Sequence, residues 1–140
     1  MDSINFENRT EYEIPEWEHV QKWLNTLCEL HDFKAGDISY LFCDDAHLLE
    51  VNKQYLDHDT LTDIITFDYT YGKTVSADIL ISLERVEDNA TDFKVTYTQE
   101  LSRVMAHGVL HCMGFKDKTE ADQLLMREAE EKAIQLFDNQ

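Results

Sequence analysis

The chain has 140 residues, a hydrophobic fraction of 43% and a formal net charge of −17. This length fits one domain, residues 1–140, and the apolar content is enough for a single buried core. The negative charge argues against a protein that coats DNA or an anionic membrane, and no apolar run approaches a membrane span. Met1–Asn5 lacks a signal-peptide pattern, and three cysteines without a CxxC motif suit a reducing compartment, so we expect a cytoplasmic protein.

The first half of the chain predicts two strands and two helices. Ile4–Phe6 alternates apolar and polar residues, as a short strand does. Apolar residues then recur at helical spacing through Pro15–Leu30, with the proline near the helix start. Gly36 is expected to end the connection that follows, before a strand at Asp37–Cys43. Asp44–Tyr55 predicts a second helix that opens on an acidic pair.

The second half predicts a hairpin followed by three helices. The β-rich runs Ile64–Phe67 and Ala77–Ser82 flank a turn and predict two paired strands. Helical spacing then predicts a short helix at Leu83–Asn89, a long helix at Tyr97–Met113 and a last helix at Thr119–Phe137. Because strands and helices alternate, we expect an α/β (α+β) fold with a small mixed sheet of about four strands packed against helices.

The long central helix carries a candidate metal site. His107 and His111 are four residues apart, so both side chains project from one helix face and can share one ion. Gly114 can end the helix and turn the chain, which lets Asp117 return as a third ligand. Two imidazoles and one carboxylate leave coordination positions open, as in catalytic zinc sites. The spacing therefore predicts one zinc ion per chain, held by His107, His111 and Asp117.

The same pattern has a structural alternative and also excludes one chemistry. Each histidine could instead lie on the helix surface or hydrogen bond within the core. Zinc peptidases of the H-E-x-x-H type carry their general base directly after the first histidine, where this chain has Gly108. A helical glycine costs about 1 kcal/mol relative to alanine, so a close-packed strand or a substrate is expected to need that space.

The sequence around this motif resembles the YbeY-type endoribonucleases, a family of rRNA maturation factors. The family signature is H-G-x-L-H followed by a glycine, an aromatic residue and a third ligand. The resemblance covers the chain from Asp37 to the last helix and rests on these segments: Asp44–Asp45, Asn52 and Tyr55, Thr62–Phe67, Ala77–Ile81, Glu100, His107–His111, and Gly114 with Phe115.

The resemblance implies a zinc-dependent, single-strand-specific endoribonuclease of small-subunit ribosomal RNA maturation and ribosome quality control. Zinc would activate a water and polarise a phosphoryl oxygen, with either that water or the RNA 2′-hydroxyl as the attacking group. Two residues depart from the family pattern. Asp117 stands where the family usually has histidine, and Leu56 stands where it usually has arginine.

Four other residues are predicted to support the site. Glu100 lies seven residues before His107 on the same helix face, where it could orient the site or relay protons. We favour a structural role, in which it pairs with Arg103 or accepts hydrogen bonds from buried backbone donors. Arg103 either contacts a phosphate or is a solvated helix charge. Asp63 and Asp78 are expected to accept hydrogen bonds, either behind the metal ligands or to fix a loop.

An RNA substrate requires cations near the motif in place of the absent arginine. We expect phosphate contacts from a small group of basic residues: Lys53, Arg103, Lys116 and Lys118. Residues 91–118 carry four basic and three acidic side chains, so the surroundings of the motif are not acidic although the chain is. The predicted partners are ribosomal RNA and the small ribosomal subunit.

Two other functions remain open at this stage. One is another zinc hydrolase with the same ligands, including a peptidase whose base comes from elsewhere. The other is a non-catalytic ribosome-assembly factor in which the metal fixes the helix end, which Leu56 favours. Cys112 is expected in the core, and the remaining histidines are expected at the surface: His19, His31, His47 and His58.

Overall fold

A computed structural model of the chain describes residues 3–56 and 62–139, in which helices pack against a mixed sheet. In these ranges four strands pair in the order β1-β2-β4-β3, namely β1 (Ile4–Asn8), β2 (Lys34–Cys43), β3 (Ile64–Asp68) and β4 (Thr74–Ser82). β1 and β4 run parallel to β2, and β3 runs antiparallel to β4 as the predicted hairpin. The predicted fold class is confirmed.

The same two ranges contain five helices, one for each helix predicted above. They are α1 (Trp17–Leu30), α2 (Asp45–Leu56), α3 (Leu83–Phe93), α4 (Tyr97–Cys112) and α5 (Glu120–Asp138). Across the described part of the chain, no helix is both long enough and apolar enough to cross a bilayer.

The central helix α4 is closed at both ends by local side-chain and backbone chemistry. Thr96 accepts a hydrogen bond from the backbone N–H of Gln99, whose side chain accepts one from the N–H of Thr96, so the pair forms a capping box. At the other end, Gly114 adopts φ +102°, and the N–H of Phe115 donates to the carbonyl of Leu110. The predicted glycine stop is confirmed and turns the chain back towards the site.

The helix α4 lies unusually close to the sheet at Gly108. A Cβ at this position would lie 3.0 Å from Cδ1 of Ile79 and 3.2 Å from Cδ1 of Ile64. The side chains of Ile64 on β3 and Ile79 on β4 therefore occupy the space that a side chain at position 108 would need. The hydroxyl of Tyr40 on β2 donates to the carbonyl of Met105 at 2.9 Å and attaches the helix to the sheet.

The helix α5 packs against both α1 and α4, which places it beside the candidate site. The indole N–H of Trp23 on α1 donates to the carbonyl of Ala133 at 2.9 Å, and the Trp23 ring packs edge-on against Phe137. Both aromatic rings are buried, so this contact holds the second half of α5 against the body of the protein.

The structure corrects the starts of two predicted strands, and β4 begins at Thr74 rather than at Ala77. The strand β2 begins at Lys34 rather than at Asp37, and Gly36 lies inside it, next to an irregularity in the pairing with β4. A Cβ on Gly36 would lie 2.7 Å from Cγ2 of Thr74 and 2.8 Å from the carbonyl oxygen of Val75. The glycine therefore permits close approach of two strands, a use that looks the same in the sequence as a loop glycine.

The structure gives packing partners to two of the histidines that were expected at the surface. His19 is half-buried, and its Nε2 lies 2.9 Å from the carbonyl oxygen of Phe137. The ring of His31 packs edge-on against Phe115 with 5.3 Å between centroids, and His47 is half-buried at the start of α2. His58 lies outside the described residues. Cys112 is buried, as predicted.

Candidate active site

The three predicted metal ligands line one cleft beside the end of α4. This cleft has a volume of about 620 Å³ and is called the polar cleft below. One wall is residues 62–66, which lead into and include the first half of β3, and Asn52 of α2 lies next to them. The other wall consists of α4 and the turn after it, and its lining residues are Arg103, His107, His111 and Asp117.

A buried carboxylate orients the first histidine. Oε2 of Glu130 on α5 lies 2.6 Å from Nδ1 of His107, and Glu130 is only 5% exposed. In the neutral imidazole the Nδ1–H group donates to Glu130 and Nε2 carries the lone pair, whereas in the imidazolium both nitrogens carry a proton. Oδ2 of Asp117 lies 3.5 Å from this Nε2. The ring is thus held on one side by a carboxylate and faces a predicted ligand on the other.

The types of side chain at the end of α4 suit zinc. Two imidazoles and a carboxylate are ordinary zinc ligands, and a carboxylate behind a ligating imidazole is a frequent arrangement. Within residues 3–56 and 62–139, no three His, Cys, Asp or Glu side chains already form a metal-binding group. His111 and Asp117 are exposed and line the same cleft as His107.

The surroundings of His107 change its pKa in two opposing ways. Burial alone lowers the pKa of His107, because it disfavours the charged imidazolium. The hydrogen bond to Glu130 and the negative charges of Glu130 and Asp117 raise the pKa by more, so the net pKa lies above its ordinary value. The site is therefore built to attract positive charge at the position of His107.

A second buried interaction fixes α4 to its neighbours through Arg103. Its Nη2 lies 2.6 Å from Oε2 of Glu100, its Nη1 lies 3.3 Å from Oε1 of Glu130, and Nη2 is 3.7 Å from Oδ2 of Asp63. Burial acts to lower the pKa of Arg103, but the Glu100 hydrogen bond and the surrounding charges raise it further above its ordinary value. The expected Glu100–Arg103 pair is present, and Arg103 is not a solvated helix charge.

The structure separates two of the supporting residues that the sequence grouped together. Asp63 lines the polar cleft and faces Arg103. Asp78 is exposed and lines a different groove together with Ser39 and Tyr55, so it lies apart from the ligands. The reason is strand alternation: Ile79, the next residue on β4, is the one that faces Gly108 on α4. The prediction that Asp78 supports the metal ligands is not met by this geometry.

The remaining predicted RNA contacts lie outside the wall of the cleft. Lys53, Lys116 and Lys118 are exposed, and none of the three is among the residues that line the polar cleft. Leu56 is the last residue of α2, the helix that supplies Asn52 to the cleft. Leu56 therefore lies at the end of a helix that borders the site.

Sequence reasoning missed Glu130, although the sequence contains a usable signal. Met126, Ala129, Ala133 and Phe137 recur at helical spacing and form the buried face of α5. Glu130 lies within that face, at the position where another apolar residue is expected. A carboxylate on the apolar face of a helix is seldom buried without a partner, and its partners here are His107 and Arg103.

The chain is similar to known proteins over almost its whole length. Residues 4–138 match the family described as Endoribonuclease YbeY. The chain is 50% identical over 134 residues to Endoribonuclease YbeY of Flavobacterium psychrophilum, and the match covers 96% of each protein. It is 49% identical over 134 residues to the protein of that name from Flavobacterium johnsoniae, again covering 96% of each.

A solved structure shares the fold. The solution structure of TM1509 from Thermotoga maritima superposes with a TM-score of 0.66 at 22% sequence identity, covering 96% of this chain and 88% of that chain. At this level of identity the likeness shows the fold alone.

Proposed function

The chain belongs to the YbeY endoribonuclease family, and from that premise we propose that its polar cleft binds one zinc ion and cleaves single-stranded segments of ribosomal RNA. Endoribonuclease activity is that of the family. The zinc ion, its ligands His107, His111 and Asp117, and the ribosomal substrate are the parts that we propose. We further propose that the protein acts in the cytoplasm on RNA of the small ribosomal subunit.

The observation that supports this proposal best is the alignment of Glu130, His107 and Asp117. Glu130 accepts from Nδ1 of His107 at 2.6 Å, and Nε2 faces Asp117 at 3.5 Å. A histidine in the core without a ligand would not need its second nitrogen directed into an open cleft. The arrangement suits a ligand histidine whose tautomer and ring orientation are set before the metal binds.

Each residue of the cleft has a separate part in this proposal. A bound zinc ion supplies Lewis-acid polarisation of a phosphoryl oxygen and increases the acidity of water. Glu130 fixes the tautomer of His107, and Arg103 holds Glu130 and Glu100 in place. Asp63, which lies 3.7 Å from Arg103, fixes the edge of the opposite wall.

Electrostatics allow RNA to approach despite the acidic chain. We assign phosphate contacts first to Lys53, Lys116 and Lys118, whose side chains are exposed. The guanidinium of Arg103 lies against carboxylates. Acidic surface elsewhere disfavours non-specific binding, because the phosphate backbone carries one negative charge per nucleotide. We therefore expect binding that is weak in general and concentrated at the cleft.

The peptidase alternative has less support from the site. A base next to the first histidine is absent, and Gly108 is packed against Ile79 rather than turned towards the cleft. In the second alternative the metal only fixes the end of α4. The experiment below distinguishes this alternative from catalysis.

The test compares zinc-loaded parent protein with His111→Ala and Asp117→Asn on single-stranded ribosomal RNA and on casein. Leu124→Ala is the matched control, since Leu124 is exposed on α5 and lines neither wall of the cleft. We expect RNA cleavage by the parent and the control, loss of cleavage in both ligand variants with unchanged circular dichroism, and no hydrolysis of casein. Loss of fold in the ligand variants would instead support a structural metal, and casein hydrolysis would support a peptidase.

A further inference from the structure

A second cavity adjoins the candidate site on the other side of the ligands. It has a volume of about 560 Å³ and shares three lining residues with the polar cleft: Arg103, His107 and Asp117. Its other walls come from the end of α3, the residue before Thr96 and one face of α5. This space is called the apolar cavity below, and its further lining residues are Phe93, Val95, Gln123, Met126, Arg127, Glu130, Glu131 and Ile134.

The apolar cavity presents an aromatic ring to solvent at the edge of the site. Phe93 is 58% exposed and Val95 is 41% exposed, and both side chains line the cavity. They flank Lys94, which has φ +58° and turns the chain at the end of α3. The turn therefore places two apolar side chains on the wall of the cavity, with a basic residue between them in the chain.

A cation on the opposite helix also lines this cavity. Arg127 is exposed on α5 and forms no ion pair or hydrogen bond with any other residue in the described ranges. Its neighbour Glu130 is engaged by His107 and Arg103, which leaves the Arg127 guanidinium available to a ligand. Glu131 lines the same wall, so an anionic ligand bound by Arg127 would also lie near a negative charge.

We propose that the apolar cavity is a nucleotide subsite in which Phe93 stacks on a base next to the scissile phosphate and Arg127 contacts the adjoining backbone phosphate. This proposal rests on the endoribonuclease function proposed above and names how that site holds its substrate. An unstacked base offers a flat apolar face, and single-stranded RNA can place such a base beside an aromatic ring. Because the cavity shares His107 and Asp117 with the cleft, a base bound there belongs to a nucleotide beside the reacting phosphate.

The chemistry of the cavity favours a base together with its phosphate over other occupants. Its volume lies within the roughly 300–1,000 Å³ of ordinary ligand pockets. Its lining combines an exposed ring, aliphatic side chains and the exposed guanidinium of Arg127, which we assign to the base, the sugar and the phosphate respectively.

The test measures kcat and KM on a labelled single-stranded RNA with one cleavage site. The same RNA is then prepared with an abasic nucleotide on either side of that site. We expect Phe93→Ala to raise KM on the intact RNA by about tenfold, since base–aromatic stacking is worth about 1–3 kcal/mol. On the RNA that is abasic at the stacked position, Phe93→Ala and parent should have equal KM. Phe93→Tyr should retain the parent KM on intact RNA.

The second arm concerns Arg127 and uses salt dependence. Arg127→Ala should raise KM and reduce the salt slope of binding by about 0.7, the value for one phosphate contact with a single strand. Arg127→Lys should recover most of the slope, because it retains the charge. Leu124→Ala and Lys132→Ala, two exposed positions of α5 that do not line the cavity, should match the parent.

The outcomes distinguish this inference from the function on which it rests. If the parent cleaves RNA and Phe93→Ala behaves like the parent on intact RNA, the subsite is wrong and the proposed function stands. If Phe93→Ala weakens the intact and abasic RNAs equally, the ring does not stack on a base and the subsite is again wrong. If the parent neither binds nor cleaves RNA, both proposals fail.

Discussion

Oε2 of Glu130 lies 2.6 Å from Nδ1 of His107, although the two residues are 23 positions apart in the chain. The same carboxyl group also reaches Nη1 of Arg103 at 3.3 Å. One buried side chain on α5 therefore orients a predicted ligand on α4 and neutralises the cation one turn before it. The proposed metal site therefore depends on the packing of two helices and not only on the spacing within one.

We predict that Glu130→Gln weakens zinc binding while the protein remains folded. The amide oxygen can still accept from Nδ1–H, but the negative charge that makes His107 a better ligand is lost. We expect zinc affinity to fall by about 10- to 100-fold, measured by competition with a chromogenic chelator. Glu128→Gln, an exposed carboxylate on the same helix, is the control and should bind zinc as the parent does. Equal affinity in Glu130→Gln would show that Glu130 does not orient the ligand.

Substitution of Asp117 separates metal binding from helix capping. Thr119, not Asp117, caps α5, because its Oγ1 accepts from the backbone N–H of Asp122 at 3.0 Å. Asp117→Asn should therefore leave the melting temperature of the metal-free protein unchanged. Its zinc affinity should fall by more than the about 10- to 100-fold typical of losing a residue that orients a ligand. Asp117→His should restore binding, since imidazole is a good zinc ligand.

The competing outcome for Asp117 is also specific. If Asp117→Asn binds zinc as tightly as the parent in the same chelator competition, the third ligand has been assigned wrongly. Asp63, which lines the same cleft, then becomes the next candidate to test.

The ion-pair network around Arg103 predicts a large effect on stability. Arg103→Ala would leave Glu100, which is 2% exposed, and Glu130 without their cation. Breaking a buried pair from one side costs about 3–5 kcal/mol, so the free energy of unfolding should fall by that order in urea denaturation. The double variant Glu100→Gln with Arg103→Met should recover part of the loss. Arg9→Ala, at an exposed pair with Glu7, is the control and should show no measurable change.

The three cysteines should be unreactive in the folded protein. Burial raises the pKa of Cys28, Cys43 and Cys112 to about 12 in each case. Since the thiolate is the reactive form, a raised pKa leaves almost no nucleophile at neutral or mildly alkaline pH. A colorimetric disulfide reagent should label none of them in native protein and all three in denaturant. Rapid labelling of one thiol in the native state would contradict this assignment.

Interactions between neighbours in the chain could be predicted, and interactions between distant elements could not. The spacing of His107, His111 and Gly114 is a property of one helix and its end, so it placed the predicted ligands in one cleft. Glu130 reaches the site only because α5 folds back onto α4, and no spacing within α5 names the partner of a buried carboxylate. The apolar face of α5 was visible in the sequence, but its direction towards His107 was not.

The alternation of side chains along β4 explains why the position of Asp78 was predicted wrongly. Ala77, Ile79, Leu80 and Ile81 make β4 apolar on both faces, so alternation does not reveal which face Asp78 joins. The helix side of the sheet was decided by Gly108, which admits the side chain of Ile79 and thereby turns Asp78 to the other side. The apolar pattern of β4 and the glycine in α4 could both be recognised in the sequence. Which face of β4 packs against α4 could be seen only in the folded structure.

The position of Glu130 has a consequence for how the protein is made. Glu130 follows His107, His111 and Asp117 in the chain, so synthesis from the amino end completes the ligand set before its orienting carboxylate exists. A nascent chain that ends before α5 carries all three ligands, but His107 has no partner for Nδ1 and Arg103 has Glu100 and Asp63 alone. The proposed metal site would therefore become complete late in biosynthesis, after α5 has emerged and docked.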